Sequence, residues 1–322
     1  MNGREPRAPL ARAVRRGDRR ALARLISLVE RRDPAADRAL RELYSFTGRA
    51  RVVGLTGPLG VGKSSLVNRL IGHLRSQGRS VAVVAVDPSS PFSGGSVLGD
   101  RIRIEREDAD TGVFIRSMAS RGQSGGLAPT TRDVVRLLDA AGFDVVLVET
   151  VGSGQVDVEI REIASTSIVV LIPHLGDEVQ TLKAGLFEIA DVFCVNKSDL
   201  DGAEQARRDL VELVALGAPR HGWRPKVVSA SASQPFGIDE LWAAVESHEA
   251  FLDEGTRRAD RDRHRLRAEL FELVLDDAAR RLRGSVEADR TFAELVEEVR
   301  ARRLDPRTAA ERWRRRSARP RG

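Results

Sequence analysis

Seven short apolar runs rich in valine and isoleucine recur through the middle of the chain and alternate with stretches of helical periodicity. The runs are "RVVGLTG" (51–57), "SVAVVAVD" (80–87), "VFIRS" (113–117), "DVVLVET" (144–150), "TSIVVLIP" (166–173), "DVFCVN" (191–196) and "KVVSA" (226–230). Their apolar residues are continuous rather than alternating with polar ones, as is typical of strands buried on both faces of a parallel sheet. The pattern therefore predicts an α/β fold, with a mostly parallel sheet and helices on both faces.

Both ends of the chain show the helical period instead. Residues 8–31 predict one amphipathic helix and 35–46 a shorter one, the first on the spacing of Leu22, Leu25, Ile26 and Val29. After about residue 250 two more apolar stripes follow, at Leu266, Leu270, Leu273 and Val274, and at Phe292, Leu295, Val296 and Val299. We expect a helical extension (1–48), a core domain (49–250) and a C-terminal helical region with an Arg-rich tail (251–322). The C-terminal stripes need burial against the core or a second subunit.

Charge and composition narrow the function classes. The 322 residues carry 53 Lys and Arg against 47 Asp and Glu, a net charge of +6. Residues 1–50 hold 13 basic and 6 acidic groups, the last 22 hold nine arginines and two acidic groups, and the middle is acidic. The core therefore shows no sign of nucleic-acid binding, while the basic ends are either solvated helix faces or contacts for an acidic partner. The sequence shows no long apolar run and no N-terminal signal, so we expect a cytoplasmic protein without a membrane anchor.

The stretch "GLTGPLGVGKSSLVNRL" (54–70) contains G-x-x-x-x-G-K-S, from Gly57 to Ser64, between a predicted strand and a predicted helix. Glycines let backbone N–H groups turn toward phosphates, the lysine reaches the β- and γ-phosphates, and the serine hydroxyl ligates Mg²⁺. The helix N-terminus adds its positive dipole end. The sequence thus predicts a P-loop whose nucleotide-binding residues are Gly60, Val61, Gly62, Lys63, Ser64 and Ser65.

A second motif selects the base. Asn196, Lys197 and Asp199 in "VNKSD" follow a strand, at the edge where open α/β sheets bind ligands. A carboxylate at Asp199 accepts two hydrogen bonds from guanine N1–H and the 2-amino group, a donor pair that adenine lacks. Guanine O6 is expected to meet backbone N–H groups of a Ser-Ala pair, for which Ser231 and Ala232 are preferred over 229–230. The nucleotide is therefore predicted to be GTP or GDP.

Carboxylates near the phosphates are candidates for the Mg²⁺ site. Glu149 ends the strand 144–150, where many P-loop proteins have an aspartate that supports the metal. Asp87 and Asp100 are further candidates, although Asp87 can instead start a turn and Asp100 can cap a helix. Gly152 can bring a backbone N–H to the γ-phosphate, so 149–155 is a candidate switch that orders with GTP. In fast small GTPases the glutamine that orients the attacking water is adjacent to this glycine. Gln155 stands three residues past Gly152, so we expect slow intrinsic hydrolysis.

Several longer stretches resemble one family of P-loop proteins, the GTPases associated with methylmalonyl-CoA mutase (MeaB/ArgK) within the SIMIBI class. The resemblance runs from about residue 10 to 312 and is carried by "GDRRALARLISLVE", "VVGLTGPLGVGKSSLV", "VAVVAVDPSSPFSGGSVLGDRIRI", "FIRSMASRGQSGGLA", "AGFDVVLVETVGSGQ", "GDEVQTLKAGLFEIADVFCVNKSD" and "DPRTAAER". It implies a G domain with N- and C-terminal helical extensions, the latter building a homodimer.

By resemblance, such a protein binds an adenosylcobalamin-dependent acyl-CoA mutase. It gates cofactor loading and helps to eject damaged cofactor, with GTP hydrolysis as the timer. The resemblance implies catalytic roles for Lys63, Asp87, Asp100 and Glu149, and a Mg²⁺ site at Ser64, Asp87, Asp100 and Glu149. It also implies a relay of the partner's state through Gln155 and the segment 174–183, at Asp177, Glu178, Gln180 and Lys183.

Three other function classes compete with this interpretation. A metal-insertion GTPase for hydrogenase or urease would need a Cys/His cluster, whereas the chain has one cysteine and five scattered histidines. A kinase for a transport protein would need a base for a protein acceptor, and no sequence feature demands one. A binding module that uses GTP only as a structural ligand is disfavoured by the set of Lys63, Ser64 and Glu149.

Overall fold

A computed structural model describes residues 10–88, 110–120, 129–150, 156–173, 188–234, 236–287 and 289–317 of the chain. Its central feature is a seven-stranded sheet in the order β3-β2-β4-β1-β5-β6-β7, with every adjacent pair parallel. The strands are β1 (Arg51–Thr56), β2 (Val81–Pro88), β3 (Val113–Ser120), β4 (Val145–Thr150), β5 (Thr166–Leu171), β6 (Val192–Val195) and β7 (Lys226–Ser229). Each coincides with one of the seven apolar runs, so the predicted α/β fold is confirmed.

Eight helices accompany the sheet in the described residues up to Glu254. They are α1 (Leu10–Arg15), α2 (Arg19–Glu30), α3 (Pro34–Leu43), α4 (Lys63–Ser76), α5 (Pro129–Ala140), α6 (Val156–Ile163), α7 (Ala203–Leu216) and α8 (Ile238–Asp253). A short 3₁₀ turn, Tyr44–Phe46, follows α3 and completes the predicted element at 35–46.

The prediction of one continuous helix over 8–31 is wrong. The chain forms α1 and α2 there, and the break falls at Gly17, whose φ is +81°. Asp18 then caps α2, because its carboxylate accepts a hydrogen bond from the Ala21 N–H at 3.0 Å. Gly17 adopts the left-handed conformation at little cost, and the Asp18 side chain satisfies a backbone N–H at the start of α2. Both residues therefore favour a break over one continuous helix.

The continuous valine runs are explained by helices on both sides of the sheet. Ala82, Val84 and Val86 of β2 join a buried cluster with α1, α2, α3 and α5. The intervening Val81 and Val83 join a second cluster with α4 and α8. Since successive strand residues point to opposite faces, both sets must be apolar when both faces are covered.

The described contacts divide the chain into two compact units, one up to Glu254 and one from Gly255 on. The second unit consists of α9 (Arg257–Glu287), α10 (Arg290–Arg300) and α11 (Pro306–Ser317). Within it, Trp313 packs edge-on against Phe292 and donates from Nε1 to Asp289 Oδ2 at 2.8 Å, which joins α11 to α10. The three-region division made from the sequence remains a prediction. Within the described ranges, no helix has the length and apolar character required to cross a bilayer.

Candidate nucleotide site

The glycine-rich loop 57–62 connects the carboxyl end of β1 to the first residue of α4, Lys63. Two of its glycines are required by close approach as well as by backbone angle. A Cβ on Gly57 (φ +138°) would lie 2.2 Å from the Val170 carbonyl oxygen, and one on Gly62 (φ +88°) would lie 2.6 Å from Asn196 Nδ2. The loop is therefore pressed against β5 and against the predicted base motif, with no room for a side chain at either position.

Lys63 is almost fully buried at the start of α4, with 6% of its surface exposed. Its ammonium donates hydrogen bonds to the carbonyl oxygens of Gly57 at 2.7 Å and Pro58 at 2.8 Å. The side chain thus reaches back across the loop and places a positive charge against the first two carbonyl groups of the loop. A cation held there favours the charged oxygens of a phosphate group.

Ser64 at the start of α4 and Glu149 near the end of β4 come together beside the phosphate loop. Glu149 lies on β4 opposite Leu55 of β1, and the Ser64 hydroxyl donates to its Oε1 at 2.6 Å. Because the hydroxyl proton is used in this bond, the lone pairs of the serine oxygen stay available to a cation. Oxygen ligands of this kind suit Mg²⁺, so this pair fits the metal that P-loops use. Next to the pair, Thr150 donates to Thr56 Oγ1 at 2.9 Å, a buried contact that the sequence did not suggest.

Asn196 connects the base motif to the phosphate loop. Its buried amide donates from Nδ2 to the Val61 carbonyl at 2.7 Å, and its Oδ1 accepts from the Ala232 N–H at 3.2 Å. Lys197, in a left-handed conformation (φ +56°), donates from Nζ to the Gly60 carbonyl at 3.0 Å. The two motifs identified separately in the sequence therefore form one structure.

Asp199 is exposed at the mouth of this structure and accepts hydrogen bonds from two serine hydroxyls. One comes from Ser231, and the other comes from Ser233 at 3.1 Å. The bond from Ser231 holds the pKa of the Asp199 carboxyl below its ordinary value. The structure brings Ser231 and Ala232 to the base motif, where the buried Ala230 also accepts from the Ser198 N–H at 3.1 Å, whereas Ser229 ends β7.

A cavity of about 460 Å³ opens between the phosphate loop and the ends of β2, β3 and β4. Its polar wall is formed by Lys63, Ser64, Glu149, Thr150 and Lys197, and its apolar wall includes Val67, Ile71, Val83 and Ile115. This volume is in the range of ligand pockets that take a small molecule. Polar groups for a phosphate chain thus line one side of a cleft at the carboxyl edge of the sheet.

The remaining predicted site residues lie outside the described parts of the structure. They are the side chain of Asp87 at the end of β2, together with Asp100, Gly152, Gln155, Asp177, Glu178, Gln180 and Lys183. Their roles therefore stay predictions. Two residues that sequence analysis missed are Ser233, whose hydroxyl bonds Asp199, and Arg69, which bonds the carbonyls of Ala232 and Ser233. Ser233 could have been noticed as the third serine in "SASAS", whereas Arg69 carries no signal in the sequence.

A family model described as "Methylmalonyl Co-A mutase-associated GTPase MeaB" matches residues 22–287. The chain belongs to this family. It is similar to GTPase ArgK of Escherichia coli, with 35% identity over 316 residues that cover 94% of each protein. A Pyrococcus abyssi protein, also named as a GTPase, is 45% identical over 305 residues, again 94% of each chain.

Two further relatives extend the comparison. A mouse protein named "Methylmalonic aciduria type A homolog, mitochondrial" is 36% identical over 245 residues, 70% of this chain and 59% of the mouse protein. The crystal structure titled "LAO/AO transport system kinase" superimposes with a TM-score of 0.72 at 29% identity, covering 96% of this chain and 98% of the other. Family, relatives and fold agree that the chain is a P-loop GTPase that binds guanine nucleotides.

Proposed function

We propose that this GTPase is the chaperone of an adenosylcobalamin-dependent acyl-CoA mutase such as methylmalonyl-CoA mutase. In this role it gates cofactor loading and protects the mutase, with GTP hydrolysis as the timer. The single observation that carries the proposal is the match to the mutase-associated family over residues 22–287. The mouse relative, named for methylmalonic aciduria, supports the same client chemistry.

In the proposed site, Lys63 neutralises the β- and γ-phosphates while Ser64 and Glu149, with Asp87 and Asp100, hold Mg²⁺. When bound, Mg²⁺ neutralises charge on the phosphate oxygens and fixes their geometry. Lys63 can exchange its two carbonyl partners for phosphate oxygens without a large movement, because both partners belong to the loop that surrounds the phosphates. Gly152 is proposed to add a backbone N–H to the γ-phosphate.

Guanine is proposed to lie between the Lys197 stem and the segment that begins at Ser231. Asp199 accepts from guanine N1–H and the 2-amino group, and the Ala232 N–H, which donates to Asn196 Oδ1 in this structure, is proposed to turn to O6 when the base binds. Ser231 and Ser233 both bond Asp199 Oδ1, which leaves Oδ2 for one guanine donor, and a serine is proposed to yield its place on Oδ1 to the second donor. Such a donor and acceptor pattern rejects adenine strongly.

The client's state is proposed to reach the site through the switch at 149–155 and the segment 174–183, with Gln155, Asp177, Glu178, Gln180 and Lys183. Intrinsic hydrolysis is then slow, and the client stimulates it.

A homodimer is also proposed, through the C-terminal helices. Its support is the exposure of large apolar side chains on α9, among them Leu270 (63%), Phe271 (65%) and Val274 (65%). Burying several large apolar side chains exposed on one helix is a usual reason for association.

The metal-insertion alternative finds no support in the described ranges, where no group of three His, Cys, Asp or Glu side chains is arranged to hold a metal ion.

The chaperone proposal is tested by the GTP turnover of the purified protein. Turnover is measured for the protein alone and with an adenosylcobalamin-dependent acyl-CoA mutase, and ATP is the control. GTP-specific turnover stimulated by the mutase is expected. Guanine-specific turnover that no acyl-CoA mutase changes would assign this GTPase to another client.

A further inference from the structure

Arg69 on the second turn of α4 reaches the loop that carries the predicted guanine contacts. Its Nε donates to the Ala232 carbonyl at 2.8 Å and its Nη2 to the Ser233 carbonyl at 3.3 Å. The two bonds come from one planar guanidinium and end on consecutive peptide groups. A planar fork that binds two neighbouring acceptors fixes their relative orientation, which a single donor cannot do.

We call residues 231–234 the base loop. Inside it, the Ser231 hydroxyl lies 2.8 Å from the Ser233 hydroxyl and accepts from the Gln234 N–H at 3.2 Å. Both hydroxyls also bond Asp199. The direction of the Asp199 carboxylate therefore depends on the conformation of the base loop as a whole.

Two N–H groups of the base loop donate to other parts of the domain, and the carbonyls of Ala232 and Ser233 accept from Arg69. Ser231 N–H donates to the Phe236 carbonyl at 3.0 Å, and Ala232 N–H donates to Asn196 Oδ1 at 3.2 Å. Arg69 and Ser233 are both exposed, so water would satisfy the bound carbonyls if the arginine were absent. Bonds to such accessible groups contribute little to the stability of the fold, and their main effect is to restrict where the loop lies.

We propose that Arg69 is a positioning residue for guanine recognition. From the phosphate-binding helix it fixes the base loop, so that Ser231 and Ser233 hold Asp199 in the direction that guanine requires. This proposal rests on the assignment of Asp199 to the base. It also gives the two halves of the nucleotide site a further connection besides the Asn196–Val61 and Lys197–Gly60 bonds, because Arg69 and Lys63 belong to the same helix.

The experiment compares the dissociation constants of Mg²⁺–GDP and Mg²⁺–ADP, measured by calorimetry for GDP and by competition for ADP. In Arg69→Ala the GDP constant is expected to rise about tenfold, the equivalent of one or two modest hydrogen bonds, with the ADP constant unchanged. Arg69→Lys, which keeps one donor and the charge, should recover part of the loss. Arg208→Ala is the matched control, because Arg208 is an exposed arginine on α7 that bonds Gln205 one turn away.

A GDP constant within twofold of the native value in Arg69→Ala would overturn the proposal. Equal weakening of GDP and ADP would also overturn it, since that result describes damage to the phosphate half through α4. Asp199→Asn separates the two assignments. If it leaves the preference for GDP over ADP unchanged, the base assignment itself fails. If it removes that preference while Arg69→Ala has no effect, only the role of Arg69 fails.

Discussion

The hydroxyl of Ser64, at the start of α4, donates to the carboxylate of Glu149, at the end of β4, across 2.6 Å. The two residues are 85 positions apart in the chain, and they meet because β1 and β4 are hydrogen-bonded neighbours in the sheet. Both residues line the cleft beside the phosphate loop, and the bond uses the serine proton rather than the lone pairs of its oxygen. This arrangement suits a hydroxyl that ligates a cation while a carboxylate keeps it oriented.

Replacing Ser64 tests that arrangement directly. In Ser64→Ala, GTP turnover is expected to fall about 100-fold or more, because the phosphates lose an oriented Mg²⁺ ligand. The added affinity that Mg²⁺ gives to GDP should disappear, whereas GDP affinity in EDTA should match the native protein. Turnover assays and titrations with and without Mg²⁺ measure both effects. Ser76→Ala, which removes an exposed hydroxyl at the other end of α4, serves as the control. Native Mg²⁺ dependence in Ser64→Ala would contradict the metal assignment.

Lys63→Ala should reduce GTP turnover by about 100- to 1,000-fold while the protein stays folded. The reason is that the buried ammonium is bonded within the phosphate loop, although its two carbonyl bonds also stabilise the loop. Turnover and the thermal unfolding midpoint are to be measured on the same preparation. Lys226→Ala removes a lysine on β7 that bonds Ser247 and should leave turnover unchanged. Retained turnover in a folded Lys63→Ala protein would exclude the predicted role.

Asp199→Asn should exchange guanine preference for xanthine preference. Xanthine has a carbonyl where guanine has the 2-amino group, so an amide donor from asparagine matches it and a carboxylate does not. We expect GDP affinity to fall about 100-fold and xanthosine diphosphate to become the better ligand. Competition binding with GDP, xanthosine diphosphate and ADP provides the measurement. Unchanged GDP affinity would show that the base lies elsewhere.

The Cys194 thiol should be unreactive until the protein unfolds. Cys194 is fully buried in β6, and this burial raises the pKa of its thiol to about 12. Because the thiolate is the reactive form, a thiol reagent at pH 8 should label only unfolded protein. The pKa of this thiol is higher in the folded protein than in the unfolded chain. Between about pH 9 and 12 the Cys194 thiol therefore ionises only in the unfolded chain, and the stability of the folded state falls across that range. Stoichiometric labelling under native conditions would contradict the buried position.

Much of the fold was predictable because its signals are local. Each of the seven strands appears in the sequence as a short Val- and Ile-rich run, since burial on both faces of a strand demands apolar residues at every position. The ends of the helices were harder to predict than the strands. Periodicity over 8–31 concealed the break at Gly17 and Asp18, because the same apolar spacing continues through two helices that pack on one core.

The sequence by itself determined the seven parallel strands, and it predicted the chemistry of the nucleotide site, because the P-loop and the base motif are compact strings whose spacing follows from the shape of a phosphate chain and a guanine ring. Only the tertiary structure decided how these strings join. Asn196 meets Val61 across 135 positions, and Arg69 meets Ala232 across 163. Contacts over such separations depend on the strand order β1-β5-β6-β7, and local periodicity carries no information about that order. The physical reason is that a side chain's partner is set by the path of the whole chain, whereas its own conformation is set by its neighbours.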